Sequence, residues 1–182
     1  LGACTFLVED FVPDRMKLAV SVPQEPVAAG GGIPVSVLAR HLFGAPAGGR
    51  RLTMDVTLRG AALERPDWPG FTFGDEERKF EPFHLLARET MLDPDGAALF
   101  CVELPAGLRP QALLEASVQC TAHELGGRST TRTVAVRAYA YPAYLGLCRA
   151  EGAVETGRPV RFQCVAITPD GKPAALATAA LK

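Results

Sequence analysis

Histidines, cysteines and paired carboxylates are the groups through which this chain would do chemistry, and their spacing gives no reason to expect an enzyme. His41, His84 and His123 are dispersed, and no two stand at a separation that brings imidazoles onto one metal ion. They read as sheet-surface or edge residues. The five cysteines, Cys4, Cys101, Cys120, Cys148 and Cys164, contain no C-x-x-C pair, which argues against a zinc or thioredoxin-type site. Each lies in an apolar, strand-like run where a thiol behaves as a small hydrophobe, so buried thiols are expected. Cys101–Cys120 and Cys148–Cys164 remain open as strand-to-strand disulfides. The acidic pairs Glu9-Asp10 and Glu76-Glu77 suit a solvated face better than the opposed carboxylates of a glycosidase. There is no Gly-x-Ser-x-Gly elbow. Gly30-Gly31-Gly32 is followed by neither Lys-Ser/Thr nor a helix, so it reads as a turn between strands instead of a phosphate loop. No catalytic, cofactor-binding or metal-ligating residue is assigned.

Charge gives no stronger lead. The 182 residues carry a formal net charge of −1, with a pI near 6.4. That balance offers no electrostatic footprint for nucleic acid or an anionic membrane surface. No apolar run reaches the about 20 residues that a helical membrane span requires, so direct membrane contact is not expected. The chain opens at Leu1 without an initiator Met, and any targeting signal is expected to lie upstream or to have been removed. Leu1-Gly2-Ala3-Cys4 has a superficial likeness to a lipoprotein cleavage box. The alternation of Phe6 and Val8 with their neighbours reads instead as a strand.

The elements that would position any site are strands. Residues 33–40 and 51–60 alternate apolar and polar side chains. In the second run Leu52, Met54, Val56 and Leu58 share one face, while Thr53, Asp55, Thr57 and Arg59 share the other, as in a half-buried antiparallel strand. Further strands are expected around Ser21 and over 79–89, 97–104, 114–124 and 130–139. Turn residues separate them at Ala45-Pro46, Pro94-Asp95-Gly96 and Gly126-Gly127. The last of these closes a hairpin that points Val134, Val136 and Ala138 inward and Arg132, Ala135 and Arg137 outward. About seven short strands with no convincing helix predict an all-β, antiparallel fibronectin type III-like or immunoglobulin-like β-sandwich.

Residues 61–82 break the alternation with several prolines, the single Trp of the chain (Trp68) and a charge cluster. They read as a long surface loop whose Trp68, Phe71 and Phe73 pack back onto the body. The sharper alternative is an exposed binding loop, and with it an extracellular adhesin or carbohydrate-binding module that uses the three rings as its platform. An accessory domain of a larger enzyme is a third class.

A three-part phrase occurs twice. VEDFVPDRMKL, GIPVSV and FGAPA in the first part of the chain are matched by VRAYAYPAYLGL, GRPVRF and DGKPA in the last part. Pro13 pairs with Pro142, Gly32 with Gly157 and Gly44 with Gly171, at separations of roughly 125–130 residues, the size of one sandwich domain. The segment TVAVRAY likewise corresponds to TFLVEDF near the N-terminus. The expected organisation is therefore the last strand of one module over 1–11, a complete module over 12–140, and the first strands of another over 141–182. Pro13 and Pro142 would stiffen the junctions.

VEDFVPDRMKL followed by HLFGAPA and GFTFGDEE resembles the central macroglobulin-like domains of bacterial α2-macroglobulins. YLGLCRAEGAVETGRPVRFQCVAITPDGKPA resembles the opening of the next such domain. The resemblance implies a structural module of a large, often lipid-anchored protein of the bacterial periplasm and cell envelope. Such proteins trap proteases after a bait segment is cut. Its partners would be neighbouring macroglobulin-like domains of the same chain and, through the parent, target proteases. The family's C-x-E-Q thioester motif is absent, because the cysteines open CTFL, CVEL, CTAH, CRAE and CVAI. Arg65, Arg78 and Lys79 offer a trypsin-like protease cleavage points, but the family places its bait elsewhere. The inter-domain coupling is expected near 11–15 and 139–147, at Phe11, Pro13, Arg15, Tyr141 and Pro142.

Overall fold

Strict alternation along the longest strands produces two sheets that hide one face each. The computed structural model describes residues 16–75, 77–149, 156–157 and 159–175. Its strands are β1 (Met16–Ser21), β2 (Val27–Ala28), β3 (Gly32–His41), β4 (Arg51–Ala61), β5 (Thr72–Phe73), β6 (Phe83–Met91), β7 (Ala97–Glu103), β8 (Leu113–His123), β9 (Ser129–Tyr139), β10 (Tyr144–Arg149) and β11 (Phe162–Ile167). There is no helix among the described residues. The expected strand over 1–11 lies outside them.

One sheet has the order β1-β3-β7 and a second the order β2-β9-β8-β4-β6. All pairings are antiparallel except the short parallel bridge of β2 with β9. Leu52, Met54, Val56 and Leu58 of β4 pack with Leu114, Ala116, Val118 and Cys120 of β8 and with Ile33, Val35, Val37 and Ala39 of β3. All are buried, as the alternation predicted, and the sandwich core is this interface. The outward positions of β4 and β8 carry Thr53, Asp55, Thr57, Glu115, Gln119 and Thr121. The hairpin of β8 and β9 closes through Glu124 N to Arg128 O (2.8 Å), with Gly127 at φ 79°. β6 begins at Phe83 and not at residue 79. Pro82 has no N–H to give to the ladder, so pairing starts after it.

The repeat in the sequence is a repeat in hydrogen bonding. β10 and β11 pair with the same register as β1 and β3, every partner displaced by 127 places. Lys17 opposite Arg40 becomes Tyr144 opposite Ile167, and Ser21 opposite Ser36 becomes Cys148 opposite Gln163 (17 to 144, 40 to 167, 21 to 148, 36 to 163). The turn after each pair is also conserved in detail. His41 N to Ala45 O (2.8 Å) and Gly44 N to His41 O (2.8 Å) recur as Thr168 N to Lys172 O (2.9 Å) and Gly171 N to Thr168 O (2.8 Å). Gly44 and Gly171 both stand at positive φ, 96° and 86°, where a Cβ would be strained. A bridge then forms at Arg40↔Pro46 and at Ile167↔Pro173. In the second copy, Val160 and Phe162 remain exposed on the equivalent of the buried β3 face.

The cysteines depart from expectation. Cys120 is buried, but Cys101 and Cys164 are exposed, because alternation turns their positions outward or onto the open face. Neither disulfide forms. Cys101 faces away from the core on β7, while Cys120 lies inside on β8 of the other sheet. Cys148 stands opposite Gln163 and Cys164 opposite Leu147, so their side chains leave opposite faces of one ladder. Burial, aided by the nearby Asp55 carboxylate, pushes the Cys120 thiol up to about 11. At pH 8 its reactive thiolate is therefore scarce as well as inaccessible. Maleimide labelling of the native protein at pH 8, read by peptide mapping, should modify Cys101 and Cys164 within minutes and leave Cys120 unmodified until denaturant is added.

Candidate functional site

The departure from alternation after β4 is explained by where that loop goes. Trp68 N bonds Arg65 O (3.0 Å) and Phe71 N bonds Trp68 O (3.2 Å), so two successive turns coil residues 65–71. The coil stacks three rings in series. Trp68 meets Phe71 edge-on at 5.8 Å, and Phe71 lies over Phe73 at 6.4 Å. Thr72 and Phe73 then add a strand to the second unit: β5 pairs with β10, Phe73 opposite Gly146 and Thr72 opposite Leu147. The resulting third sheet, β11-β10-β5, contains strands from both copies of the repeat. Asp75 N to Gln111 O (2.9 Å) ties the loop back to the foot of β8.

A second apolar cluster forms beneath this sheet. It contains Leu63, Phe73, Ala112, Leu113, Tyr144 and Ile167, with Trp68, Phe71, Tyr139 and Tyr141 packed at its margin. Phe73 is only 5% exposed. Trp68 and Phe71 are half-buried and pack against the margin of the same cluster. Gly146 makes the fit possible, since a Cβ there would collide with Cε1, Cδ1 and Cζ of the Phe73 ring. A glycine allows the aromatic ring of its cross-strand partner to lie on the backbone.

Polar groups close the joint at both ends. Tyr144 Oη accepts from Ala140 N (3.1 Å) and Tyr141 N (3.4 Å), clamping the bend between β9 and β10. Burial pushes this phenol above its ordinary pKa, and it outweighs the two N–H donors that pull the other way. Tyr141 Oη donates to Pro110 O (2.7 Å). At the far end, the loop holds the repeated turn by its backbone. Trp68 Nε1 donates to Gly171 O (3.2 Å) and Arg65 Nη2 to Pro169 O. The turn is itself stiffened by Lys172 Nζ on Asp170 Oδ2 (2.8 Å). Lys172, with the Thr168 hydroxyl, holds the exposed Asp170 carboxyl down at about 2.

Of the junction residues expected from sequence, Tyr141 lies in this joint and Pro142 is exposed in the bend beside it. Phe11, Pro13 and Arg15 lie outside the described residues. Tyr144 and Gly146 fall within the contact region expected over 139–147; sequence reading does not single out Leu63, Leu113 or Ile167 and gives Arg65 no part in the joint. One signal was available: all three tyrosines of the chain fall at 139, 141 and 144, and they cluster in space with its single tryptophan. The histidines do not converge. His84 faces Asp55 (3.3 Å), His123 lies by Arg51 and Thr53, and His41 stacks on Phe43. No group of metal-ligating side chains comes together among the described residues. The chemistry of the site is apolar packing and backbone hydrogen bonding that tie the 61–75 loop to the second copy of the repeat.

The chain is similar in sequence and fold to known proteins. Residues 14–139 match the family described as the bacterial alpha-2-macroglobulin MG5 domain. An alpha-2-macroglobulin of Xylella fastidiosa is 29% identical over 170 residues, covering 91% of this chain and 10% of that protein. The alpha-2-macroglobulin of Escherichia coli K12 is 32% identical over 127 residues, covering 70% and 8%. Among solved structures, E. coli alpha-2-macroglobulin activated by porcine elastase superposes with a TM-score of 0.70 at 26% identity, over 89% of this chain and 15% of that one. Salmonella alpha-2-macroglobulin reacted with methylamine gives 0.69 at 25% identity, over 91% and 12%. The chain spans about a tenth of the length of these curated relatives.

Gly146→Ala should destabilise the joint by about 1–3 kcal/mol, the usual range for overpacking. Phe73→Leu should relieve part of that cost, so urea denaturation of the two single variants and the double variant should give non-additive changes.

Proposed function

This chain belongs to the bacterial alpha-2-macroglobulin family, and from that premise we propose that it is a mechanical wall module of a protease-trapping inhibitor in the bacterial cell envelope. On this reading residues 12–140 form one complete macroglobulin-like domain and 141–182 open the next; the family match over 14–139 supports that division. The parent acts in the periplasm, its targets are proteases, and this segment contributes stiffness instead of catalysis. The solved structures of E. coli alpha-2-macroglobulin activated by trypsin and by porcine elastase support a link to proteases.

The observation that carries the proposal is the strand donated across the joint. One sandwich supplies Thr72–Phe73 to the sheet of the next, and the donated segment is fixed by a buried ring. Two units joined in this way move as one body, because bending them apart would break ladder hydrogen bonds and expose the second cluster together. A cleavage elsewhere in the parent could then be converted into a displacement of whole domains. No thioester-forming motif occurs in this chain, so covalent capture is not its contribution.

The test uses the full-length parent mixed with a broad-specificity protease and assayed on a small peptide and a large protein. Retained peptide cleavage with lost protein cleavage is the expected result. Equal activity on both substrates, repeated across protease classes, would overturn the trapping role.

A further inference from the structure

The end of the first sandwich remote from the joint repeats the half of the joint that receives contacts. In the second copy, the carbonyls of Pro169 and Gly171 are held by Arg65 and Trp68 of the first. The shift of 127 places that relates the two copies makes Leu42 and Gly44 their counterparts (42 to 169, 44 to 171). The backbone of the turn is already shaped alike in both copies, while the side chains differ. Pro169 and Asp170 are replaced by Leu42 and Phe43, which are 64% and 82% exposed, and Leu125 of the adjacent hairpin is 88% exposed. Phe43 is not loose: its ring lies parallel to His41 at 5.1 Å. Beside it is a cleft of about 380 Å³ lined by His41, Phe43, Arg50, Glu124, Leu125 and Arg128. Gly44 O accepts from Arg40 Nη1 at 3.3 Å and keeps a second lone pair.

We infer that the 41–44 turn with Leu125 is the docking face for the loop of a preceding sandwich module, in the position that residues 65–73 occupy on the 168–171 turn. This rests on the array reading above. The occupant is a segment of the same parent chain that carries an N–H-donating cation or indole for the turn carbonyls and an apolar side chain for Phe43 and Leu125. The correspondence of TFLVEDF with TVAVRAY supports a module in that place, since it matches the final strand of a sandwich ahead of β1. A patch of two aliphatic side chains and a stacked ring makes this contact more apolar than its counterpart at 168–171. Phe43 would therefore be its anchor.

Phe43→Cys in the full-length parent and in the present chain tests the inference, with maleimide labelling quantified by peptide mapping and Leu99→Cys as an exposed control. Labelling at position 43 should be at least tenfold slower in the parent, with the control unchanged. Equal rates would overturn the inference. A photoreactive phenylalanine analogue at position 43 of the parent should crosslink to the loop between the fourth and sixth strands of the preceding module. Adducts confined to any other segment or protein would also overturn it. Neither readout depends on protease, so failure here is separable from failure of the trapping role.

Discussion

The Phe73 ring resting on the backbone at Gly146 is the contact on which the relation between the two units depends. It requires three things at once: a loop long enough to leave the first sandwich, a strand position that turns Phe73 inward, and a partner residue without a Cβ. Burying aromatic and aliphatic side chains is worth about 1.5–3 kcal/mol each. Phe73, Leu63, Leu113, Tyr144 and Ile167 are all buried there, so the joint is a small core and not a surface contact. The solvent-exposed ion pairs among the described residues do not compete with it. Arg51 with Glu89 and Lys172 with Asp170 are solvent-exposed, and such pairs contribute about 0–1 kcal/mol.

The first sandwich was legible because its physics is local. Leu52, Met54, Val56 and Leu58 could only be one face of one strand, and they form the centre of the core. The repeated turn was legible for a similar reason: Gly44 and Gly171 occupy a conformation other residues avoid, so the sequence retains glycine at both. The joint was harder to read. Three aromatic residues in a proline-containing loop announce that something will be buried, but not against what. The partner here lies some seventy residues away in sequence, at Tyr144 and Gly146, and pairs through only two β5 residues. Gly146 carries no side chain to signal its role. The cysteines show the converse limit: an apolar run marks a strand, but only its register decides which thiol is inside.

The repeat gives the architecture its economy. One turn, built from the same hydrogen bonds in both copies, is gripped by the loop of the unit before it. The 61–75 loop of the first sandwich gives the contacts, and the turn after β11 in the second copy receives them.

The central claim is that the two units are one mechanical body because Phe73 is seated on Gly146. Trp68, the only tryptophan, sits in the joint and reports it without labelling. Urea unfolding followed by Trp68 fluorescence and by far-UV circular dichroism measures joint and strands side by side. The account predicts coincident transitions in the native sequence. In Phe73→Ala the fluorescence transition should move to lower urea and separate from that of the first sandwich. A Phe73→Ala protein with both transitions unmoved and coincident would contradict it.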